Sequence, residues 1–203
     1  MAHYFTNDEN IKSEEQKTYA KINNQDFVFV TDNGVFSKKG LDFGTRTLLE
    51  NIPPLHGLVL DFGCGYGPVG IYIKKNNDCI VDMVDINKRS VTLAKKNAIL
   101  NKVQVNIFES DIYSNVDKKY DYIISNPPIR IGKEKLYQIL FDASKYLKKD
   151  GELWIVINKD QGAKSVVKDL SQKYEVSVVA KNKGFYIIKA INHWQVVYFL
   201  LKL

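Results

Sequence analysis

The chain has 203 residues, of which 45% are hydrophobic and 26% are charged, and its net charge is +6. This length suits one domain with a substantial core, and no apolar run approaches the roughly 20 residues of a membrane span. The polar residues 1–17 lack the apolar stretch of a secretory signal, and Cys64 and Cys79 lack the spacing of zinc or iron–sulfur ligands. We therefore expect a cytoplasmic protein with no membrane segment and no metal, whose positive charge favours a polyanionic partner.

The N-terminal part of the chain predicts a β-hairpin. A polar beginning leads into an apolar run at residues 27–30, and the pair Asn33-Gly34 separates this run from a second, shorter one. Asn-Gly between apolar runs is typical of a tight hairpin turn, because both residues tolerate positive φ angles. We therefore divide the chain into an extension with a β-hairpin, residues 1–36, and a main domain, residues 37–203.

Helical and strand patterns alternate from residue 41 onward. Helices are predicted over residues 41–52, 68–76, 88–101, 133–147 and 163–173, and strands over residues 57–62, 79–84, 103–108, 120–125, 152–157, 175–180 and 185–190. This alternation predicts a Rossmann-like α/β fold, with a mostly parallel seven-stranded sheet and helices on both faces. Only a short turn separates the last two strands, so the last strand should be antiparallel. The apolar residues 196–201 fit none of these elements.

A glycine-rich turn follows the first strand of this series. The segment Asp61-Phe62-Gly63-Cys64-Gly65-Tyr66-Gly67 leads directly into a predicted helix. Glycine lets the backbone turn tightly and approach a ligand, and the helix N-terminus favours an anionic group of that ligand. The spacing of Gly65, Gly67 and Gly70 also fits a dinucleotide site, so the turn leaves both a nicotinamide cofactor and S-adenosylmethionine open. Asp61 favours S-adenosylmethionine, since dinucleotide sites usually place the first glycine directly after apolar strand residues.

Two further acidic residues follow the next two strands. Asp85 ends the second strand, where a carboxylate reaches the ribose hydroxyls of either cofactor. Its alternative role is a helix N-cap or a solvated strand end. Asp111 follows the third strand, where methyltransferases commonly contact the adenine amino group, although an Asx turn is also compatible with it. We predict cofactor contacts from both carboxylates and from the residues after them, Ile86 and Ile112.

The motif Asn126-Pro127-Pro128 follows the fourth strand and separates the candidate chemistries. Two prolines stiffen the backbone, so the Asn126 side-chain oxygen and a nearby carbonyl can both accept hydrogen bonds from one NH₂ group. These bonds would turn the nitrogen lone pair toward an electrophilic methyl group. Catalysis is then mainly placement, for which orientation supplies roughly 7–11 kcal/mol at best. A hydride-transfer enzyme has no use for this motif, which therefore favours an S-adenosylmethionine-dependent amino methyltransferase.

Together these segments resemble the ribosomal RNA small-subunit methyltransferase C family, which are guanine-N2 methyltransferases with the methyltransferase small domain. The matching segments are His3-Tyr4-Phe5, Gly34-Val35-Phe36-Ser37-Lys38, Leu41-Asp42-Phe43-Gly44-Thr45-Arg46, Leu60 to Gly70, Val84-Asp85-Ile86-Asn87 with Arg89, Ser125-Asn126-Pro127-Pro128-Ile129-Arg130, and Lys159-Asp160-Gln161-Gly162-Ala163-Lys164-Ser165. The well-studied family form has two tandem halves, and the sequence matches the catalytic one. The resemblance implies a class I methyltransferase fold and methyl transfer to the exocyclic N2 amine of a guanine in 16S ribosomal RNA.

The resemblance also implies roles for individual residues. Catalysis is assigned to Asn126, Pro127 and Pro128, and the cofactor to Asp61, Gly63, Gly65, Gly67, Asp85, Ile86, Asp111, Ile112 and Asn126. Substrate contacts are assigned to Phe36, Arg46, Ile129, Arg130 and Lys133, although its aromatic character favours a core position for Phe36 over base stacking. The implied partner is ribosomal RNA or the small ribosomal subunit, and the expected oligomeric state is a monomer or weak dimer.

Three alternatives remain open at this point. Adenine-N6 and protein-glutamine methyltransferases share Asn-Pro-Pro but usually place Tyr or Phe next, where this chain has Ile129. A dinucleotide-dependent oxidoreductase fits the glycines alone. A non-catalytic RNA-binding assembly factor fits the fold, but the intact Asp61, Asp85 and Asn126 count against it.

Overall fold

The computed structural model of the chain describes residues 10–193, except for the side chain of Arg130. The segment His3-Tyr4-Phe5 and the apolar residues 196–201 lie outside this range. The strands are β1 (Gln16–Ile22), β2 (Gln25–Thr31), β3 (Gly57–Phe62), β4 (Cys79–Asp85), β5 (Asn106–Glu109), β6 (Tyr120–Ser125), β7 (Leu147–Asn158), β8 (Glu175–Asn182) and β9 (Phe185–Ile191). The helices are α1 (Phe43–Asn51), α2 (Pro68–Asn76), α3 (Lys88–Leu100), α4 (Lys133–Tyr146) and α5 (Ala163–Leu170), with short 3-10 turns at Ile129–Ile131 and Lys159–Gln161.

The main sheet has seven strands in the order β5-β4-β3-β6-β7-β9-β8. The pairs from β5 to β7 are parallel, and β9 lies antiparallel between β7 and β8. Helices α1, α2 and α3 cover one face together with the hairpin, and α4 and α5 cover the other. This confirms the predicted Rossmann-like fold with an antiparallel last strand. Because β4 and β6 flank β3 on opposite sides, the strand order reverses at the end of β3, where ligands of such sheets bind.

The predicted hairpin exists, but its turn was placed wrongly. Strand β1 precedes the apolar run and pairs antiparallel with it in β2, through a two-residue turn at Asn23-Asn24 with φ angles of 46° and 63°. Such a turn needs two positive φ angles, which Asn tolerates. The pair Asn33-Gly34 instead docks on the start of α3, where its carbonyls accept hydrogen bonds from Arg89 and Asn87. That docking carries the following residues toward the end of the sheet.

Some predicted element bounds also differ from the structure. Strand β5 is shorter than predicted, and β7 begins at Leu147, where a helix end was expected. Leu147 already pairs with Tyr120 of β6, and the register then shifts before Tyr122. Gly151 lies in this irregular part, where an added Cβ would come within 3.0 Å of the Tyr120 carbonyl oxygen. In this region strand pairing overrides the local turn signal. Within residues 10–193, no helix has the length and apolarity needed to cross a bilayer.

Two asparagines on α3 attach the hairpin to the main domain. The side-chain amide of Asn97 donates to the Val30 carbonyl at 2.9 Å and accepts from the Val30 N–H at 2.7 Å. Asn101, one turn further along, makes the same pair of bonds with Val28. Asn97 also donates to the carbonyl of Tyr66 in the glycine turn at 2.8 Å. The free edge of β2 is therefore paired with side chains instead of a strand.

We expect Asn97→Ala to lower the free energy of unfolding by about 2–4 kcal/mol. The substitution leaves the N–H and carbonyl groups of Val30 and the carbonyl of Tyr66 buried without their hydrogen-bond partner. Urea denaturation measures this change. The control is Lys96→Ala on the same helix, whose exposed ion pair with Glu15 should contribute no more than about 1 kcal/mol. Equal losses in the two variants would contradict the role given to Asn97.

Candidate active site

A pocket of about 830 Å³ lies at the carboxyl ends of β3, β4, β6 and β7. Its volume falls within the range of small-molecule sites. Twelve of the residues predicted from the sequence line it: Phe36, Asp61, Gly63, Gly65, Asp85, Ile86, Asp111, Ile112, Asn126, Pro127, Pro128 and Ile129. The fold therefore brings together segments from the glycine turn, both acidic strand ends and Asn-Pro-Pro.

The three glycines of the turn have different surroundings. Gly63 and Gly65 have φ angles of +69° and +55°, and a Cβ added at either would meet nothing within 4 Å. Their backbone is open to the pocket. Gly67 has a φ of +98°, but its Cβ position lies 3.0 Å from Ile71 and 3.1 Å from Met83, and it does not line the pocket. Gly67 therefore lets α2 pack closely against β4, and its predicted ligand contact stays a prediction.

Two predicted substrate residues, Arg46 and Lys133, are not part of the pocket wall. Arg46 donates to the Lys21 carbonyl and lies 3.8 Å from a Glu50 carboxylate oxygen, so it faces the hairpin. Lys133 places its Nζ 5.1 Å from the ring centroid of Tyr137. The side chain of Arg130 lies outside the described part of the structure. Arg46 and Lys133 therefore flank the pocket without lining it.

Asp85 fixes the glycine turn from the end of β4. One of its carboxylate oxygens accepts the Gly65 N–H at 2.8 Å, and the other accepts the Asn87 N–H at 2.8 Å. Asn87 is the N-cap of α3, since its side chain accepts from the N–H groups of Arg89 and Ser90. The alternative N-cap role of Asp85 is therefore wrong. Burial raises the pKa of Asp85 above its usual value, which a cation or a hydroxyl donor at this site would counteract.

Asp61 and Tyr66 place two more polar groups at the pocket. Asp61 is 1% exposed and accepts the Gly70 N–H at 2.8 Å, and burial raises its pKa to about 7. The Tyr66 hydroxyl is buried and has no hydrogen-bond partner among the described residues. Burial also raises the Tyr66 pKa, so the hydroxyl stays a neutral donor. Buried polar groups are normally paired, and this orphan indicates that a polar ligand completes the site.

Asn126 has its amide orientation fixed by the first turn of α1. Its Nδ2 donates to Thr45 Oγ1 at 2.9 Å and lies 3.4 Å from Asp42 Oδ1. Asp42 is also the N-cap of α1, because it accepts the Thr45 N–H at 3.0 Å. With the nitrogen held by α1, the Asn126 side-chain oxygen is the atom available to a ligand. Asp42 and Thr45 belong to a segment that matches the family, but the sequence predicted no role for either residue.

We expect Thr45→Val to lower kcat about threefold to tenfold, since a neutral hydrogen bond contributes about 0.5–1.5 kcal/mol. The Asn126 amide would then keep only its longer contact with Asp42 Oδ1, whereas S-adenosylhomocysteine affinity should be unchanged. Steady-state methyl transfer and calorimetric titration measure the two quantities. Thr45→Ser keeps the hydroxyl and should retain nearly full kcat, so a similar loss in both variants would argue against this contact.

The pocket extends past Asn126 to residues that were not among the predicted site residues. Phe43 and Phe185 line it with their ring centroids 5.8 Å apart, at the start of α1 and of β9. Gly44 makes room for this pair, because a Cβ there would lie 2.8 Å from the Phe185 ring. Asn158, Gln161 and Lys135 complete this side. Asn158 and Gln161 flank Lys159-Asp160. Gln161 itself belongs to the matching segment Lys159 to Ser165, and this segment was the sequence feature from which the two residues could have been predicted.

A family model described as "Methyltransferase small domain" matches residues 26–189. The chain belongs to this family. The match extends from the hairpin strand β2 to the last strand, β9, and so includes every residue of the pocket described above. The predicted cofactor, S-adenosylmethionine, is confirmed with the family. The open backbone at Gly63 and Gly65, the orphan hydroxyl of Tyr66 and the Asp85 carboxylate fit such a ligand.

The methyltransferase small domain of this chain has curated and solved relatives. A Bacillus subtilis protein, described as the uncharacterized protein YbxB, is 45% identical over 93% of this chain and 97% of its own length. The ribosomal RNA small subunit methyltransferase C of Vibrio vulnificus is 43% identical over 62% of this chain, which spans 38% of that relative. The fold matches a T. thermophilus 16S rRNA N2 methyltransferase in complex with AdoMet and guanosine, with a TM-score of 0.78 and 20% identity, over 90% of this chain and 52% of that one. The predicted resemblance is thereby confirmed.

In residues 10–193, no three His, Cys, Asp or Glu side chains form a group suited to a metal ion.

Proposed function

We propose that this protein transfers a methyl group to the exocyclic N2 amine of a guanine in 16S ribosomal RNA. The observation that carries the proposal is the Asn126 amide, whose nitrogen is held by Thr45 while its oxygen is left for an incoming amine. The relatives named as ribosomal RNA small subunit methyltransferase C support the substrate class. Ile129, in place of the aromatic residue usual after Asn-Pro-Pro in adenine and glutamine methyltransferases, supports guanine.

The residues after β3, β4 and β5 hold the cofactor in this proposal. Gly63 and Gly65 would hold the methionine end against their open backbone, where the α2 N-terminus favours a carboxylate. The Tyr66 hydroxyl would supply a further donor. Asp85 would accept from the ribose hydroxyls, and Asp111 would accept from the adenine amino group. When bound, S-adenosylmethionine supplies an electrophilic methyl group.

The residues after β6 place the amine. The Pro128 carbonyl already accepts the Ile131 N–H at 3.2 Å in the 3-10 turn, so the Pro127 carbonyl is the better second acceptor beside Asn126. Two acceptors on one NH₂ group fix both of its hydrogens and direct its lone pair out of the base plane. Because orientation is the main contribution, no acid, nucleophile or metal from the protein is needed. The amine proton leaves to solvent after transfer.

Basic residues near the pocket would guide the RNA. Lys135 lines the pocket, and Lys183 places its Nζ 5.0 Å from the Phe43 ring centroid. Arg46, Arg130 and Lys133 remain proposed RNA contacts. Enclosed in such a pocket, the target guanine must be single-stranded or flipped out of its helix.

The test is transfer of a tritiated methyl group from S-adenosylmethionine to small ribosomal subunits and to naked 16S ribosomal RNA, both from a strain lacking the gene. Digestion to nucleosides should yield labelled N2-methylguanosine. Label in N6-methyladenosine, label in protein, or no label in either substrate would overturn the proposal. Comparison of the two substrates shows whether the assembled subunit is required.

A further inference from the structure

The part of the pocket beyond Asn126 is built on a strand that contributes nothing to the cofactor half. The strand order is β5-β4-β3-β6-β7, so the cofactor residues follow the first three strands and Asn126 follows β6. Asn158 is the last residue of β7, on the side of β6 away from the cofactor. Ser125 pairs with Ile155, so Asn158 lies two residues beyond the position opposite Asn126, on a neighbouring strand about 4.8 Å away. Asn158 therefore lies where the base, not the cofactor, would be.

The Asn158 amide is held in one orientation. Its side-chain oxygen accepts the Asp160 N–H at 3.0 Å and caps the 3-10 turn Lys159–Gln161. A 180° flip of the amide would bring two N–H groups face to face, so the flipped form is disfavoured. The NH₂ group has no acceptor among the described residues, although Asn158 lines the pocket. The site thus presents a donor that cannot change into an acceptor.

We infer that Asn158 determines base specificity by donating a hydrogen bond from its NH₂ group to O6 of the target guanine. This inference rests on the proposed function. Guanine carries an acceptor at O6, whereas adenine carries an amino donor at the same position of its ring. A fixed donor therefore accepts guanine and opposes adenine. While Asn126 holds the N2 amine at one end of the Watson–Crick edge, Asn158 reads the other end.

The aromatic pair beside Asn158 supports this placement. Phe43 and Phe185 offer ring faces on which a base stacks, a contact worth roughly 1–3 kcal/mol. Phe185 opens β9 and pairs with Asn158 across the antiparallel β7–β9 ladder. Phe185 and the fixed donor are thus held in register by the same strand pair. They supply the aromatic contact that Ile129 does not.

The test compares two RNA probes, each a fragment spanning the nucleotide labelled in the subunit assay. One carries guanine at that position, and the other carries 2-aminopurine, which keeps the reactive amine but lacks O6. The wild-type protein should prefer guanine by at least about tenfold in kcat/KM. In Asn158→Asp the cap is retained because Asp caps as well as Asn, but the donor becomes an acceptor. The ratio of kcat/KM for the guanine probe to that for the 2-aminopurine probe should then fall to about one.

Asn158→Ser is the neutral companion variant, since Ser also caps but does not supply an NH₂ group. It should lose the guanine preference in the same way, with unchanged S-adenosylhomocysteine affinity. An unchanged preference in both variants, beside normal N2-methylguanosine formation, overturns the role of Asn158 and leaves the proposed function intact. A wild-type protein without preference for guanine over 2-aminopurine also overturns it. A methyl label on a base other than guanine, or no label at all, overturns both the role of Asn158 and the proposed function.

Discussion

Asn126→Ala should reduce methyl transfer by at least about 100-fold, because the substrate amine loses the acceptor that places it before the methyl group. The Asn126 oxygen is the atom that the α1 contacts leave available to the amine. Affinity for S-adenosylhomocysteine should stay within a few-fold, since the cofactor half is built from β3, β4 and β5. Single-turnover transfer to small ribosomal subunits and calorimetric titration measure the two effects.

The matched control is Asn76→Ala on α2, which removes an amide bonded only to the carbonyl of Tyr72 in its own helix. It should leave transfer unchanged. Thermal unfolding of both variants separates a catalytic effect from loss of fold, because Asn126 also ties α1 to the end of β6. Normal turnover in a folded Asn126→Ala protein would remove this residue from the mechanism.

Asp85→Ala should weaken S-adenosylhomocysteine binding by roughly 1–3 kcal/mol, the cost of losing a charge-assisted hydrogen bond. The structure adds a second cause. The same carboxylate accepts from the N–H groups of Gly65 and Asn87, so its removal also loosens the glycine turn on which the cofactor rests. Isothermal titration measures the affinity, and titration with a nicotinamide dinucleotide shows whether the site discriminates between the two cofactor classes.

Asp78→Ala provides the comparison, because this exposed residue precedes β4 at the end of the sheet opposite the pocket. It should bind S-adenosylhomocysteine as the wild type does. Unchanged affinity in Asp85→Ala, or tighter binding of the dinucleotide by the wild type, would contradict the assignment of the cofactor half.

Local patterns predicted most of the elements. Strand β3 and helix α2 occur at the predicted bounds, because a short apolar run, a glycine turn and Pro68 at the helix start act within a few residues. The hairpin turn was misplaced for a different reason. Asn23-Asn24 and Asn33-Gly34 both tolerate positive φ angles, and the choice between them depends on contacts with α3.

The sequence by itself determined which backbone segments reach the active end of the sheet. Gly63, Gly65, Asp85 and Asn126 follow parallel strands, and parallel strands end at one edge, so their meeting is a consequence of chain order. Only the tertiary structure decided how the side chains there are oriented. The Asn126 amide is set by Thr45, and Asn158 meets Phe185 through the antiparallel insertion of β9. The physical reason is that an amide has two nearly equivalent orientations, and for Asn126 partners distant in the sequence select between them.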